Sequence, residues 1–254
     1  MPPQPGGRDV SDNHATSGGV RAAVAGQTDH TPPLAGRRFF CSWSGGKDAY
    51  LAFARAVAAG GRPEALVCML HEDGDRSRGH GLPVTVLEAQ AEALGVALVT
   101  GAATWDEYEA TFVAVLHELR RQGVEAGVFG DIDLEGHRVW VEGVCDVAGL
   151  TCHLPLWREA RRPLIDELLA GGVRATVVAV DAAKLDVSFL GRELTPELVA
   201  DLEAAGADAC GEEGEYHTMV TAAPLFAAPV PLVWDGREER DGHWVLKFSA
   251  VEGT

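Results

Sequence analysis

Short apolar runs alternate with longer amphipathic stretches from Arg38 onward, a pattern that reads as strands alternating with helices. Phe39–Trp43 reads as a buried strand, the Ser44–Ala49 segment as a glycine turn, and Tyr50–Ala59 as an apolar helix. Ala65–Leu70 is a second strand, with the polar loop His71–Asp75 at its end. Val84–Leu94 is amphipathic and stops at Gly95, as a helix with a glycine just past its end does. Val96–Thr100 is a third strand. Thr104 and Glu107 have capping-box spacing and open a helix through Arg121. Ala126–Gly130 is a fourth strand, and Arg138–Ala148 a helix whose apolar face is Val139, Val141, Val144, Cys145 and Ala148. Arg161–Ala170 continues as helix, Thr176–Val180 as a strand that Asp181 ends, and Thr195-Pro196 as a capped helix start. Val230–Trp234 and His243–Ala250, joined by a polar turn, read as a β-hairpin.

Strand–helix alternation at this spacing implies an α/β fold with a doubly wound, mostly parallel sheet, followed by a smaller C-terminal α+β lobe. Three regions are expected: a disordered tail over 1–36, rich in Gly, Pro, Ser and Thr, a nucleotide-binding domain over 37–180, and a smaller substrate-binding lobe over 181–254. Ligands of such sheets bind beyond the carboxyl ends of the strands. The glycine turn, the acidic loop after strand two and Asp131 after strand four all open there.

Composition changes this picture little, and charge changes it more. With 254 residues, 46% of them hydrophobic, the chain can bury a full core. No apolar run approaches the roughly 18 residues a membrane helix needs, and no signal pattern opens the chain, so a cytoplasmic protein is expected. The five cysteines form no Cys-x-x-Cys, which argues against a zinc or redox pair and suits a reducing compartment. A formal net charge of −17 excludes a general nucleic-acid surface, leaving only a local basic patch at Arg158, Arg161 and Arg162.

Two stretches carry chemistry. In Ser44-Gly45-Gly46-Lys47-Asp48-Ala49, paired glycines would let the backbone approach a bulky anion, and the following helix would aim its free N–H groups at it. Asp48 after Gly46-Lys47 excludes a Walker loop. In Cys210-Gly211-Glu212-Glu213-Gly214-Glu215-Tyr216-His217-Thr218, three carboxylates with two glycines form an acidic loop that suits magnesium or an ammonium nucleophile. The remaining histidines show no metal-ligand spacing.

The first stretch resembles the PP-loop of the N-type ATP pyrophosphatases, with Ala49 where that family usually has Ser. Taken with Gly130-Asp131-Ile132, the block from Arg138 through Glu142 and Cys145 to Pro155-Leu156-Trp157, and the acidic loop, the chain resembles the diphthine–ammonia ligase family, as a bacterial-type member. Glu213 departs from the family's usual Gly or Asn. The resemblance implies an adenine nucleotide alpha hydrolase-like fold and an ATP-dependent, AMP-forming ligase: a substrate carboxylate is adenylated, pyrophosphate leaves, and ammonia displaces AMP.

It further implies catalytic Lys47, Asp48, Glu212 and Glu215. ATP would be held by Ser42, Ser44, Gly45, Gly46, Lys47, Asp48, Ala49, Met69, Gly130 and Asp131. Substrate would be held by Arg138, Glu142, Gly211, Gly214, Tyr216, His217 and Thr218, and Mg2+ by Asp48 and Asp131. The expected partners are ATP, ammonia and an unidentified carboxylate, with a homodimer left open. Two alternatives keep the PP-loop: an enzyme modifying tRNA, and a nucleotide-binding sensor without turnover. The acid balance counts against the first.

Overall fold

The computed structural model describes residues 32–248. Most of the expected tail and the end of the expected hairpin, Ser249-Ala250, lie outside the described residues. Residues 32–36 do not continue the tail, because Leu34 is buried against the core.

Five strands form a parallel sheet: β1 (Arg38–Ser42), β2 (Arg62–Leu70), β3 (Ala97–Ala102), β4 (Ala126–Val128) and β5 (Thr151–His153), in the order β3-β2-β1-β4-β5. The chain leaves β1 to one side for β2 and β3 and returns on the other for β4, so the switch point lies beside β1. Alternation along the strands sends Phe39 and Cys41 to one face and Phe40 to the other. The first face is covered by α1 (Lys47–Ala58), α2 (Val84–Leu94) and α5 (Arg161–Ala170), the second by α3 (Tyr108–Arg121) and α4 (Glu135–Ala148). The sheet is therefore doubly wound, as expected.

A second, antiparallel sheet has the order β7-β6-β9-β8, from β6 (Arg174–Asp181), β7 (Tyr216–Ala222), β8 (Trp234–Arg240) and β9 (His243–Phe248). A 3-10 turn (Val187–Phe189) and α6 (Pro196–Ala204) complete this lobe. Its apolar residues join those of α1 and α2 in one continuous core. The expected boundary at 180/181 falls inside β6, which pairs with β7 and β9 and so belongs to the second sheet.

Several elements differ from the sequence expectation. Strand β2 begins at Arg62, three residues early, because Arg38 holds Glu64 through two hydrogen bonds of 2.7 and 2.8 Å across a bulge at Phe39/Phe40. Helix α3 begins at Tyr108, since the Glu107 carboxylate accepts from both the N–H and the hydroxyl of Thr104 and leaves no side-chain cap on the helix. On α4, Val139 is 58% exposed: residues 141, 144, 145 and 148 keep helical phase and 139 does not. The hairpin turns at Asp241-Gly242, both at positive φ, so Asp235–Arg240 is strand and Val230–Val233 is not. Strand β8 is an edge strand, where a charged sequence is tolerated.

Candidate functional site

The carboxyl ends of β1 and β4 face the second lobe across a cleft of about 200 Å³. From the β1–α1 corner it is lined by Ser42, Ser44, Lys47, Asp48 and Ala49, and from the β4–α4 side by Gly130, Asp131, His137, Trp140 and Val141. Opposite stand Gly211, Glu212, Gly214, Tyr216, His217 and Thr218 of the second lobe. An adjoining cavity of about 140 Å³ shares Ser42, Ser44, His80, Tyr108, Phe112 and His217 with it and adds Met69 and Ser77.

At the corner, the glycines serve contacts within the protein. A Cβ on Gly46 would lie 2.5 Å from His80 Cε1 and 3.0 Å from the Thr218 carbonyl. One on Gly45, at φ +79°, would meet Leu82 and Gln90 at 2.6 and 2.8 Å. Gly130 is tight for a similar reason, since its Cβ would sit 2.9 Å from the Asp48 backbone. Neither Gly45 nor Gly46 is among the residues lining the cleft, whereas their neighbours Ser44 and Lys47 are. Gln90, fully buried, fixes the corner by donating to the carbonyls of Gly45 (3.0 Å) and Val220 (2.8 Å) and accepting from Trp43 Nε1 (3.0 Å).

Lys47 is 3% exposed and is turned toward the second lobe. Its ammonium donates to Asp48 (2.7 Å) and to the Cys210 carbonyl and lies 5.3 Å from the Tyr216 ring centre, while its N–H donates to Thr218 Oγ1 at 3.2 Å. Burial would depress its pKa, but Asp48, Tyr216 and Cys210 together hold the ammonium above its ordinary value. Burial raises Asp48, and Lys47 limits the rise.

The acidic loop is held by its own carboxylates. Asp208 accepts from the N–H groups of Cys210 (2.6 Å), Gly211 (3.0 Å) and Glu212 (2.8 Å). Glu215, 6% exposed, accepts from the N–H groups of Asp208 (3.3 Å) and Glu213 (3.1 Å) and does not line the cleft. In this structure its carboxylate braces the loop. Glu212 does line the cleft. Burial first, and then the carboxylates Asp48, Asp131 and Asp133, push its pKa up to about 8.

Three imidazoles stack where the lobes meet. His80 and His217 have ring centres 4.4 Å apart, and His217 and His243 6.2 Å. His80 Nδ1 is 3.1 Å from the Thr218 carbonyl. Burial pushes His80 down to about 4, and burial with the flanking His80 and His243 pushes His217 well below its ordinary value.

Of the expected substrate residues, Arg138 and Glu142 stand outside the cleft lining and bond each other at 3.0 Å, with Glu135 also on Arg138. Asp131 lines the cleft and accepts from His137 at 3.2 Å if that ring is protonated at Nδ1. Among the described residues no group of three or more His, Cys, Asp or Glu is arranged to hold a metal ion. Two members of the expected basic patch are paired with acids, Arg161 with Asp133 and Asp208 and Arg162 with Asp166 and Glu203, while Arg158 lies over the Trp157 ring. Sequence reasoning missed Gln90, Asp208 and the cleft aromatics Tyr108, Phe112 and Trp140. Gln90 was detectable as a polar residue on the apolar Leu87/Ala91/Leu94 face of α2.

Residues 37–152 match the diphthamide synthase N-terminal domain model, and residues 162–250 match the diphthamide synthase C-terminal domain model. Diphthine–ammonia ligase of Mus musculus is 28% identical over 209 residues, covering 72% of this chain and 78% of the relative. That of Danio rerio is 28% identical over 208 residues, covering 72% and 81%. That of Schizosaccharomyces pombe is 27% identical over 211 residues, 74% of this chain and 35% of the relative, so this chain matches about a third of that longer protein. A solved structure titled as a predicted subunit of tRNA methyltransferase from Methanocaldococcus jannaschii is 15% identical, with a TM-score of 0.41 over 74% of this chain and 98% of that one.

Proposed function

This chain belongs to the diphthamide synthase family, and on that premise we propose that it is an ATP-dependent amide-forming ligase of the diphthine–ammonia ligase type. The observation that carries the reading is a shared cleft: Ser44, Lys47, Asp48 and Ala49 of the first lobe and Glu212 of the second line opposite walls of it.

The proposed reaction runs in two displacements. A carboxylate oxygen of the acceptor attacks the α-phosphorus of ATP, the α–β bridging bond breaks, and pyrophosphate leaves. Ammonia then attacks the carbonyl carbon of the acyl-adenylate, the bond to the AMP oxygen breaks, and one proton leaves the new amide nitrogen. Ser42, Ser44 and the first turn of α1 serve the phosphates, with Lys47 fixing that turn against the second lobe. Glu212, with its pKa near 8, binds ammonium and takes its proton, since only neutral ammonia can attack. Met69 and the aromatics of the adjoining cavity suit the nucleoside. Tyr216, His217 and Thr218 complete the opposing wall.

Charge bears on magnesium. Among the described residues lining the cleft, Lys47 stands against Asp48 and Asp131, joined by Glu212 once it ionises. This balance would repel a bare triphosphate. Mg2+ is bound in such sites by one or two carboxylates plus phosphate oxygens, so Asp48 and Asp131 fit it as a nucleotide-borne ion, even though no preformed cluster exists among the described residues. When bound it would supply charge neutralisation for the departing pyrophosphate.

The test is a screen of carboxylates with ATP and ammonium, reading AMP and pyrophosphate. AMP formation that requires both ammonium and an acceptor supports the ligase. ADP and phosphate, or turnover indifferent to ammonium, would refute it.

A further inference from the structure

Residues 153–161 lie between the two matched ranges and lead from β5 into α5, beside the second lobe. This connector grips a loop of each. On the side of the first lobe, the Arg158 N–H donates to the Ile132 carbonyl at 2.6 Å, with Arg158 at φ +62°. A non-glycine residue enters that region at a cost and stays only where its surroundings hold it there. Arg161 then holds Asp133 through two parallel hydrogen bonds of 2.9 and 2.8 Å. The same guanidinium reaches across to the second lobe, with Nη1 3.0 Å from Asp208 Oδ2. The Arg161 carbonyl in addition accepts from Cys210 Sγ at 3.3 Å.

Asp208 is the keystone of the acidic loop. Its two oxygens take the N–H groups of Cys210, Gly211 and Glu212, and Glu215 takes those of Asp208 and Glu213. Within the loop two carboxylates are thus spent on the backbone, and Glu212 is the one that reaches the cleft. The Glu212 N–H accounts for a contact only one residue away from Asp208's grip on Gly211, so the backbone at the cleft-facing position is held on both sides of the Cα before it.

We propose that Arg161 and Asp208 are positioning residues, which fix the backbone at Cys210–Glu212 and align Glu212 with the Asp131–Asp133 loop of the other lobe. The proposal rests on the reading that Glu212 serves the ammonia step. Neither residue needs to touch substrate, and neither lines the cleft.

The experiment uses the full chain with Arg161→Lys, Arg161→Ala, Asp208→Asn and, as reference, Glu212→Gln. Two quantities are read: KM for ammonium against KM for ATP, and hydrogen exchange of the Gly211 and Glu212 amides without nucleotide. Asp208→Asn and Arg161→Ala should speed the exchange and raise KM for ammonium about tenfold, the scale of one charge-assisted hydrogen bond, leaving KM for ATP unchanged. Arg161→Lys should restore part of both. A merely structural role would lower the melting temperature and leave the ratio of the two KM values alone, which would overturn the proposal. So would exchange at the wild-type rate in Asp208→Asn, a mild change that keeps the fold if Arg161→Ala does not. If Glu212→Gln leaves KM for ammonium unchanged, the reading of Glu212 has failed. If Glu212→Gln raises it and Asp208→Asn does not, the positioning proposal alone has failed.

Discussion

The Lys47 ammonium and the Cys210 carbonyl are hydrogen-bonded across the lobe boundary, so the residue that opens α1 is anchored to the loop that carries Glu212. The backbone repeats the link one atom group away, Lys47 N–H to Thr218 Oγ1 at 3.2 Å. Lys47 therefore joins the two walls of the cleft rather than standing free in one of them.

Lys47→Ala should fail twice. It leaves Asp48 without its cation and the Cys210 carbonyl without its donor, and losing one partner of a mostly buried pair costs about 2 kcal/mol where, as for Asp48, part of the other partner still meets water. Denaturant midpoints should fall accordingly, and pyrophosphate release should be lost. Wild-type release in this variant would remove Lys47 from the reaction.

Gly46→Ala should separate the lobes. The added methyl would approach the His80 ring at 2.5 Å and the Thr218 carbonyl at 3.0 Å, and the carbonyl belongs to a strand that cannot yield easily. Overpacking of this kind costs about 1–3 kcal/mol. The expected result is a lower melting temperature together with weaker nucleotide binding by calorimetry. Normal binding in a stable Gly46→Ala protein would show that the lobes have slack at this point.

The parallel sheet was legible because strand and helix periods differ and both repeat along the chain, and Gly95 marked the end of α2 where the structure has it, at φ +65°. The site was half legible. Lys47, Asp48, Asp131 and Glu212 stand out in the sequence as charge at or next to glycine, a local signal, and all four line the cleft. What the sequence leaves open is non-local. Glu212 and Glu215 look alike in sequence, and only the path of the loop decides that Glu215 meets backbone N–H groups while Glu212 meets the cleft. The same holds for Gly45 and Gly46, whose neighbours Leu82, Gln90, His80 and Thr218 come from distant segments. Strand β8 was missed because an edge position relaxes the demand for apolar residues that the reading relied on.

The imidazole stack should make the lobes acid-sensitive. His80 falls from an ordinary 6.5 to about 4 and His217 well below 6.5, so between these values the unfolded chain binds protons that the folded chain does not. Stability should then be complete above about pH 6.5 and be lost progressively as pH falls toward 4. His217→Phe keeps an aromatic ring in the stack and removes one titration. Its unfolding free energy, measured by urea titration from pH 7.5 to 4.5, should decline less steeply than that of the wild type. An identical slope would place the acid sensitivity elsewhere.

Glu212 titrates in the opposite sense. Its pKa is raised to about 8 by burial and by the carboxylates around it, so the folded chain holds a proton that the unfolded chain releases at lower pH. Stability contributed by this group falls as pH rises from about 4.5 through 8, and Glu212→Gln should therefore gain stability at pH 9 and none at pH 4. The reaction needs the other form. A carboxylate at position 212 can take a proton from ammonium and a carboxylic acid cannot, so the ammonia-dependent rate should rise with an apparent pKa near 8. Free ammonia also increases with pH, and the two effects separate in Glu212→Gln, which keeps the rise due to free ammonia and loses the limb near 8. With rates plotted against calculated free ammonia, the wild type should retain a pH dependence that the variant lacks. If both collapse onto one curve, Glu212 takes no proton in the rate-limiting step.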